Sequence, residues 1–300
     1  MPFLKQKNIS PNLIAITENL SPIWTYVMFL VLGEDAAALV DSGVGLIPNL
    51  PELIRSHSEK PLSVLITHSD PDHVGGALLF DEKQVFLPEQ DLAAYANAIS
   101  PLYRNSCITR MFSPGDPRLA LGLETIVPTV PQIPTTFTHG HRFELGGSSL
   151  EAFHLPGHTK GSHCFINDNE GYALVGDAIT KIPLVSFPRC TSLERYYLAL
   201  REFHARTLGM ALYCGHSVSP IHDPVVEDII AGCEEILAGQ IENDPFDKYH
   251  ITPEAACDGF RPRTHKYRSA IIRYNADKIH IEDEAKQIIR LAYNRKKTEK

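Results

Sequence analysis

The stretch LITHSDPDHVGG occupies positions 65–76 of the chain. A run of apolar and β-branched residues ends there in four side chains of metal-binding type, namely His68, Asp70, Asp72 and His73. Positions 68 and 70 are two apart, so they point to the same side of an extended chain. Pro71 disfavours helix at the residue before it and fixes its own φ, which suits a corner between a strand and a helix. The stretch therefore predicts a strand that ends in metal ligands, followed by a helix whose first turn carries two more.

Three later segments repeat this pattern of an apolar strand that ends in His or Asp beside Gly or Pro. They are FHLPGHTKGS at 153–162, ALVGDAI at 173–179 and LYCGHS at 212–217, which supply His158, Asp177 and His216 as candidate ligands. Sites in layered α/β folds collect at such strand ends. Imidazole and carboxylate groups suit zinc, iron and manganese, and seven of them are too many for one ion but fit two.

Each of these residues also has an interpretation without a metal. A single histidine at a strand end is more often a satisfied polar group. DPDH taken alone also fits an Asx-type turn or a helix N-cap. The coincidence of four such strand ends in one chain favours the metal site.

The order, spacing and flanking residues of these motifs resemble the metallo-β-lactamase superfamily. Its signature is HxHxDH, then a histidine often found in PGHT, an aspartate often found in GD, and a last histidine after glycine. The resemblance extends over positions 10–222. It implies an α/β fold, a four-layer αββα sandwich with a two-metal site at one edge. By the same resemblance, Asp41 in ALVDSG would hydrogen-bond to the ligand residues without binding the metal itself.

The resemblance also implies how the ligands divide between two cations. The first would be bound by His68, Asp70, His158 and a bridging Asp177, and the second by Asp72, His73, His216 and the same Asp177. Asp70 stands where the superfamily usually has histidine, and flavodiiron-type oxygen and nitric-oxide reductases resemble this variant more closely. An added carboxylate makes the centre a weaker Lewis acid. This favours iron or manganese over zinc as the bound metal, although zinc remains an alternative. A third interpretation is that Asp70 weakens the first site and leaves a single metal.

The leading functional hypothesis is a metal-dependent hydrolase with two divalent cations. A hydroxide that bridges them would attack an ester-, lactone- or thioester-type substrate, with Asp72 as the residue that accepts the proton. The alternative is a non-heme di-iron protein that reacts with or senses oxygen or nitric oxide, although no flavodoxin-like segment follows position 222. A third class is a non-catalytic binding module on a decayed scaffold, against which the intact ligand set argues.

Strands alternate with helical segments, and the predicted organisation is a metallo-β-lactamase-fold domain at 1–222 with a C-terminal extension at 223–300. Three roles are open for the extension: packing on the sandwich, capping the site, or forming a homodimer. The proline-rich segment 99–140 is expected to be a surface excursion over the site. Two interpretations are open for Tyr103, Arg104, Arg110 and Phe112 in this excursion: they contact substrate, with arginine as an anion anchor, or they tie down the segment. Arg189 on the opposite wall is a second candidate to bind an anionic group.

Composition narrows the classes of partner. The chain of 300 residues has a formal net charge of −8, and its one basic run is RKKTEK at the C-terminus, so we expect no nucleic-acid binding. The longest apolar stretch is too short to span a membrane, and the first residues do not resemble a signal peptide. The six cysteines form no CxxC pair, which argues against a zinc knuckle or a redox dithiol. We therefore expect a cytoplasmic protein that acts on a small molecule.

Overall fold

The computed structural model describes residues 3–21, 24–112, 115–240 and 261–286. The chain divides into two compact units, each made of segments that are separate in sequence. Unit 1 consists of Met1–His154, His163–Gly176 and Ala211–Pro220, and unit 2 consists of Leu155–Ser162, Asp177–Met210 and Ile221–Lys300. The predicted C-terminal extension, 223–300, is thus grouped with two earlier segments in unit 2.

The first sheet of unit 1 follows chain order. Its strands are β1 (Leu4–Ser10), β2 (Leu13–Ser21), β3 (Trp24–Leu32), β4 (Ala37–Val40), β5 (Leu62–Leu65), β6 (Val85–Pro88) and β7 (Thr135–Phe137). Strands β1 to β4 pair antiparallel, with the predicted GED turn at 33–35 between β3 and β4. From β4 to β7 the pairing is parallel, so the carboxyl ends of these strands meet at one edge.

The second sheet of unit 1 contains the strands that precede or carry the later motifs. These are β8 (Arg142–Glu144), β9 (Ser149–His154), β10 (His163–Asn167), β11 (Tyr172–Gly176) and β13 (Ala211–Cys214), in the order β13-β11-β10-β9-β8. Strand β12 (Leu184–Val185) belongs to unit 2. The predicted hairpin around Gly146 and Gly147 joins β8 to β9, and both glycines have positive φ, where side chains are disfavoured. Strand β13 pairs parallel with β11, which aligns the ends of these two strands.

Alternate residues of the first sheet serve two cores. In β2, Leu13 and Ala15 pack with residues of the second sheet such as Leu150 and Phe165. Ile14, which lies between them in the sequence, faces the opposite core, which the helices cover. The helices of unit 1 are α1 (Leu50–His57), α2 (Pro71–Val74), α3 (Leu92–Ala98), α4 (Pro101–Met111) and α5 (Pro117–Thr125). A helix layer and two sheets therefore lie one on another within unit 1.

The segment 99–140, predicted from its prolines to be a surface excursion, contains regular elements among its described residues. It forms α4, α5 and the strand β7. Pro101 and Pro117 stand in the first turn of these helices, where the missing N–H costs nothing. Ser100 accepts a hydrogen bond from the N–H of Tyr103 at 3.3 Å and so caps α4. Two of the six prolines in this segment therefore mark helix starts.

Unit 2 contains the other helices and a small sheet. Its elements are β12 (Leu184–Val185), α6 (Leu193–Arg206), α7 (Asp223–Leu237), β14 (Pro262–Tyr267) and β15 (Ala270–Asn275), with the sheet order β12-β15-β14. Helices α6 and α7, predicted at 192–207 and 224–239, pack on each other, and α7 also packs on β14 and β15. Residues 281–286 are helical, and the rest of the helix predicted there lies outside the described residues. No helix in the described part of the chain has the length and apolar character to cross a membrane.

Candidate metal centre

The corner predicted from the opening stretch is present between β5 and α2. Asp70 has an extended backbone, with φ −97° and ψ 150°, and Pro71 is the first residue of the helix. The backbone N–H of His73 donates to the carbonyl of Asp70 at 2.9 Å. The Asp70 carboxylate makes no capping hydrogen bond to the helix, although the residue stands at the N-cap position. The N-cap interpretation of DPDH therefore does not account for this side chain.

The glycines that follow the corner allow two backbone segments to approach closely. Gly75 donates its N–H to the carbonyl of Gly43 at 2.8 Å. A Cβ at Gly75 would overlap the carbonyl oxygen of Val44. The hydroxyl of Ser42 donates to the carbonyl of His73 at 2.8 Å. The chain around Asp41 is in this way fixed against the helix that carries His73.

Asp41 orients two of the predicted ligands. The residue has φ +61°, a left-handed conformation that aspartate tolerates better than most residues. Its carboxylate accepts the Nδ1–H of His73 at 2.8 Å and the backbone N–H of Thr67 at 2.8 Å. The Thr67 hydroxyl donates its proton to the same carboxylate at 2.9 Å, so its lone pair accepts the Nδ1–H of His68 at 3.0 Å. Asp41 thus contacts His73 directly and His68 through Thr67, which is where a carboxylate that supports these predicted ligands would lie.

His216 is oriented by the backbone of β3. The Nδ1–H of His216 donates to the carbonyl of Thr25 at 3.1 Å. The preceding Gly215 donates its N–H to Gly176 at 2.9 Å and accepts the N–H of Val27 at 2.8 Å. These bonds tie the end of β13 to β11 and β3, and they leave Nε2 of His216 directed toward Asp72, whose Oδ2 is 3.8 Å away.

Three ligands predicted for the second cation come together in unit 1. The candidate ligand atoms of Asp72, His73 and His216 lie within 4.8 Å of one another. Asp72 Oδ2 is 3.7 Å from Nε2 of His73, and the two imidazole rings meet edge to face with centroids 5.8 Å apart. In the same unit, Oδ2 of Asp70 is 3.7 Å from Nε2 of His68. Both aspartates of the opening stretch thus face a histidine Nε2.

The other two predicted ligands lie in unit 2, and there they face each other. Nε2 of His158 is 4.0 Å from Oδ2 of Asp177. The Nδ1–H of His158 donates to the carbonyl of Leu184 at 3.0 Å. Both His158 and Asp177 are largely shielded from solvent, with side-chain exposures of 2% and 11%.

This donor set fits a divalent cation. Each of the four histidines uses Nδ1–H on a protein acceptor, so in the neutral ring the lone pair is on Nε2, the atom that faces a carboxylate. Two ligand atoms about 2.1 Å from one tetrahedral cation are about 3.4 Å apart. The nitrogen–oxygen separations of 3.7–4.0 Å are close to that value and are too long for direct hydrogen bonds.

A model of the metallo-beta-lactamase superfamily matches residues 22–216, which is more than half of the chain. This chain belongs to the metallo-beta-lactamase superfamily. The matched range contains every ligand predicted from the motifs and also Asp41. The predicted membership of this superfamily is therefore confirmed.

Several relatives of this superfamily member are known by sequence. It is 27% identical over 183 residues to a protein of Homo sapiens named acyl-coenzyme A thioesterase MBLAC2, covering 56% of this chain and 63% of that protein. It is 29% identical over 163 residues to YobT of Bacillus subtilis, named as uncharacterised, covering 50% of this chain and 60% of that protein. The chain spans less than two thirds of the length of these curated relatives.

Solved structures of the superfamily confirm the fold class. A metallo-beta-lactamase family protein from Thermus thermophilus matches with a TM-score of 0.54 at 23% identity, over 81% of this chain and 84% of that one. A metallo-beta-lactamase from Pontibacter korlensis matches with a TM-score of 0.55 at 16% identity, over 76% of this chain and 97% of that one. The predicted α/β metallo-β-lactamase fold is therefore present.

Two of the residues expected to contact substrate have a different role in this superfamily member. Arg104 is 1% exposed, and its guanidinium donates to the carbonyls of Val127 at 2.8 Å and Val44 at 3.0 Å. Phe112 is 6% exposed and packs in a small core with Phe3. The interpretation of Arg104 as an anion anchor is wrong, because its donors are used on backbone carbonyls inside the protein.

The remaining substrate candidates differ in their surroundings. Arg110 is exposed near the end of α4, and Tyr103 is partly buried. Arg189 lies in unit 2, where its guanidinium stacks 4.8 Å from the ring of Phe187 and approaches Nε2 of His158 at 3.4 Å. Of this group, Arg189 is the residue with a contact to a predicted ligand.

Sequence reasoning missed Thr67 and Glu18. Thr67 immediately precedes His68 in the opening stretch, and a hydroxyl beside a ligand could have suggested its role. Glu18 is fully buried and accepts backbone N–H groups from Val44 at 2.7 Å and Leu46 at 2.5 Å. Burial raises the pKa of the Glu18 carboxyl to about 7, and these hydrogen bonds lower it in part. Nothing in the local sequence of β2 signals this carboxylate.

Proposed function

We propose that this chain is a metal-dependent hydrolase that holds two divalent cations, zinc, iron or manganese. The proposed ligands are the seven residues of the motif pattern: His68, Asp70, His158 and Asp177 for one cation, and Asp72, His73, His216 and Asp177 for the other. The observation that carries the proposal is the common orientation of the four histidines, each held at Nδ1 with Nε2 toward a carboxylate.

The residues of the chain would divide the chemistry in a defined way. Divalent cations, when bound, supply a water-derived nucleophile at neutral pH and polarise the substrate carbonyl. Asp72, whose Oδ2 is 3.7 Å from Nε2 of His73 and 3.8 Å from Nε2 of His216, would lie beside the second cation and, by the family resemblance, accept the proton of the attacking water. Asp41 would hold the neutral tautomer of His73 and keep its Nε2 in place.

A thioester is the favoured substrate class among the three that the site chemistry suits. The human and bovine relatives are named as acyl-coenzyme A thioesterases. Thioester, lactone and ester substrates all present a carbonyl to the same kind of centre, so the relatives' names rank them and do not exclude the others. We propose a small-molecule thioester as substrate, with lactones and simple esters ranked below it.

The test is a comparison of three substrate classes with protein loaded in turn with zinc, manganese and iron. Thiol release from acyl-coenzyme A, lactone opening and ester cleavage are each measured as kcat/KM. Asp72→Asn should lower kcat by about 10²–10⁴-fold, the usual contribution of a general base. Asp81→Asn, which makes the same change at an exposed carboxylate that caps the turn at 82–84, is the matched control and should retain full activity. Loaded protein that binds two cations and cleaves none of the three classes would refute the hydrolase.

Asp70 favours a second candidate, a non-heme di-iron protein that reacts with oxygen or nitric oxide. Its carboxylate is directed at His68 and is nearly buried, with 8% of the residue exposed. Carboxylate-rich sites accept iron and manganese more readily than histidine-rich sites do. Iron-loaded protein that consumes oxygen or nitric oxide with an added electron donor, and hydrolyses no substrate, would select this candidate over the hydrolase.

A further inference from the structure

The segment 184–190, which follows β11 in the chain, contacts His158 at three points. The carbonyl of Leu184 accepts the Nδ1–H of His158 at 3.0 Å. The thiol of Cys190 donates to the carbonyl of His158 at 3.0 Å. The guanidinium of Arg189 approaches its Nε2 at 3.4 Å. The position and tautomer of His158 therefore depend on where residues 184–190 are held.

The hairpin formed by β14 and β15 holds the start of this segment. Strand β12 pairs parallel with β15, with Leu184 opposite Arg273. The N–H of Arg273 donates to the carbonyl of Pro183 at 3.0 Å, and the N–H of Ile271 donates to the carbonyl of Lys181 at 3.3 Å. These bonds join positions about ninety residues apart in the chain, within unit 2.

Lys278 holds the end of the segment. Its ammonium group donates to the carbonyls of Pro188 at 2.9 Å and Cys190 at 2.8 Å, the residues on either side of Arg189. The residue is 5% exposed, and burial lowers the pKa of its ammonium group. Burying an ammonium group is costly unless hydrogen bonds compensate, so this position is a demanding one for lysine. Glu284, six residues after Lys278, accepts the N–H of Ser192 at 2.7 Å, two residues beyond Cys190.

We infer that Lys278 is a positioning residue for the metal ligand His158, acting through the segment 184–190. The inference rests on the proposed metal centre, since it takes His158 as a ligand. Without the two hydrogen bonds of Lys278, the carbonyls of Pro188 and Cys190 lose buried partners, and the segment relaxes away from His158. The Cys190 thiol donates to the carbonyl of His158, so displacement of Cys190 leaves the imidazole less firmly positioned and weakens metal binding at Nε2. Lys278 lies outside the range 22–216 that matches the superfamily, so this support is a property of the C-terminal part of this chain.

The test is a titration of the full-length, metal-free protein with cobalt(II), followed by its visible absorption. Lys278→Met should weaken one of the two binding steps by about 10–100-fold and alter the spectrum of that step, with the other changed less than 3-fold. Lys278→Arg, which retains donors, should recover most of the affinity. Lys286→Met is the matched control, because Lys286 is an exposed lysine paired with Glu282 on the same part of the chain. It should bind cobalt like the wild type.

A second background separates positioning from general loss of structure. In His158→Ala the affected step is already lost, so adding Lys278→Met should change cobalt binding less than 2-fold. An equal loss with and without His158, or unchanged binding in Lys278→Met, would refute the inference. If Lys278→Met does not fold by circular dichroism, Glu284→Gln is used and should weaken the same step by about 3–10-fold. A wild type that binds no cobalt would refute the proposed centre itself, whereas two normal steps that depend on His158 but not on Lys278 would refute this inference alone.

Discussion

Glu18 makes the stability of the protein depend on pH in a direction opposite to that of most carboxylates. The side chain is fully buried, and burial raises the pKa of its carboxyl to about 7 from an ordinary value of 4.5. Between these values the folded protein retains a proton that the unfolded chain releases. Stability from this group is therefore complete below pH 4.5 and is lost as the pH rises through 7.

The size of this effect follows from the same two pKa values. Each pH unit between them changes the free energy of unfolding by about 1.4 kcal/mol, so the whole contribution is about 3 kcal/mol. The perturbation is Glu18→Gln, which keeps the shape of the side chain and removes its titration. The difference in unfolding free energy between wild type and Glu18→Gln should move by about 3 kcal/mol against the wild type from pH 4.5 to 8.

The assay is urea unfolding of metal-free protein at half-unit steps of pH, with both variants in the same buffers. Other titrating groups are shared by the two proteins and cancel in the difference. Glu52→Gln serves as the control, since Glu52 is an exposed residue of α1 paired with Arg55, and its difference from wild type should stay flat. A constant difference between wild type and Glu18→Gln across the range would refute the assignment of a raised pKa to Glu18.

Two further predictions concern Asp41 and Arg104. Asp41→Asn keeps a residue that tolerates φ +61° but removes the charge that holds His73 and Thr67, so metal affinity should fall by about 10–100-fold in competition with a chelator. Unchanged affinity, with the exposed Asp35→Asn as control, would contradict the supporting role. Arg104→Met removes buried donors to Val127 and Val44, so the urea midpoint should report a loss of about 2–4 kcal/mol while KM stays within 2-fold. A rise in KM with normal stability would instead return Arg104 to the substrate site.

The placement of the candidate ligands at strand ends was predictable because each of them carries a local signal. A buried strand that stops at His or Asp beside Gly or Pro is visible in a window of about ten residues, and Pro71 marks the corner at Asp70. The same holds for most strands and helices, whose apolar periodicity is local. The hairpin at Gly146–Gly147 is an example, since two adjacent glycines between short apolar runs predict the turn that the structure has.

Roles that depend on distant partners were not predictable. Arg104 had two interpretations, as an anion anchor or as a tie within the proline-rich segment, and the partners that decide between them are carbonyls 23 and 60 residues away. Glu18 sits in an ordinary strand pattern, and its acceptor role depends on a backbone segment 26–28 residues later. Pro101 and Pro117 have two interpretations in isolation, as breakers or as first residues of helices, and the caps before them decide between the two.

The long sequence separation between Lys278 and the segment 184–190 affects when this part of the protein can assemble during translation. The carbonyls that Lys278 satisfies precede it by 88 and 90 residues. At a translation rate of about 5–20 residues per second, roughly 5–20 s pass between synthesis of the 184–190 segment and synthesis of the residues that hold it. By the end of that interval all the described strands of unit 1, through β13, have been made, while His158 still lacks the support of Lys278. In a nascent chain the five proposed ligands of unit 1 would therefore be present before the support of His158, in unit 2, is complete.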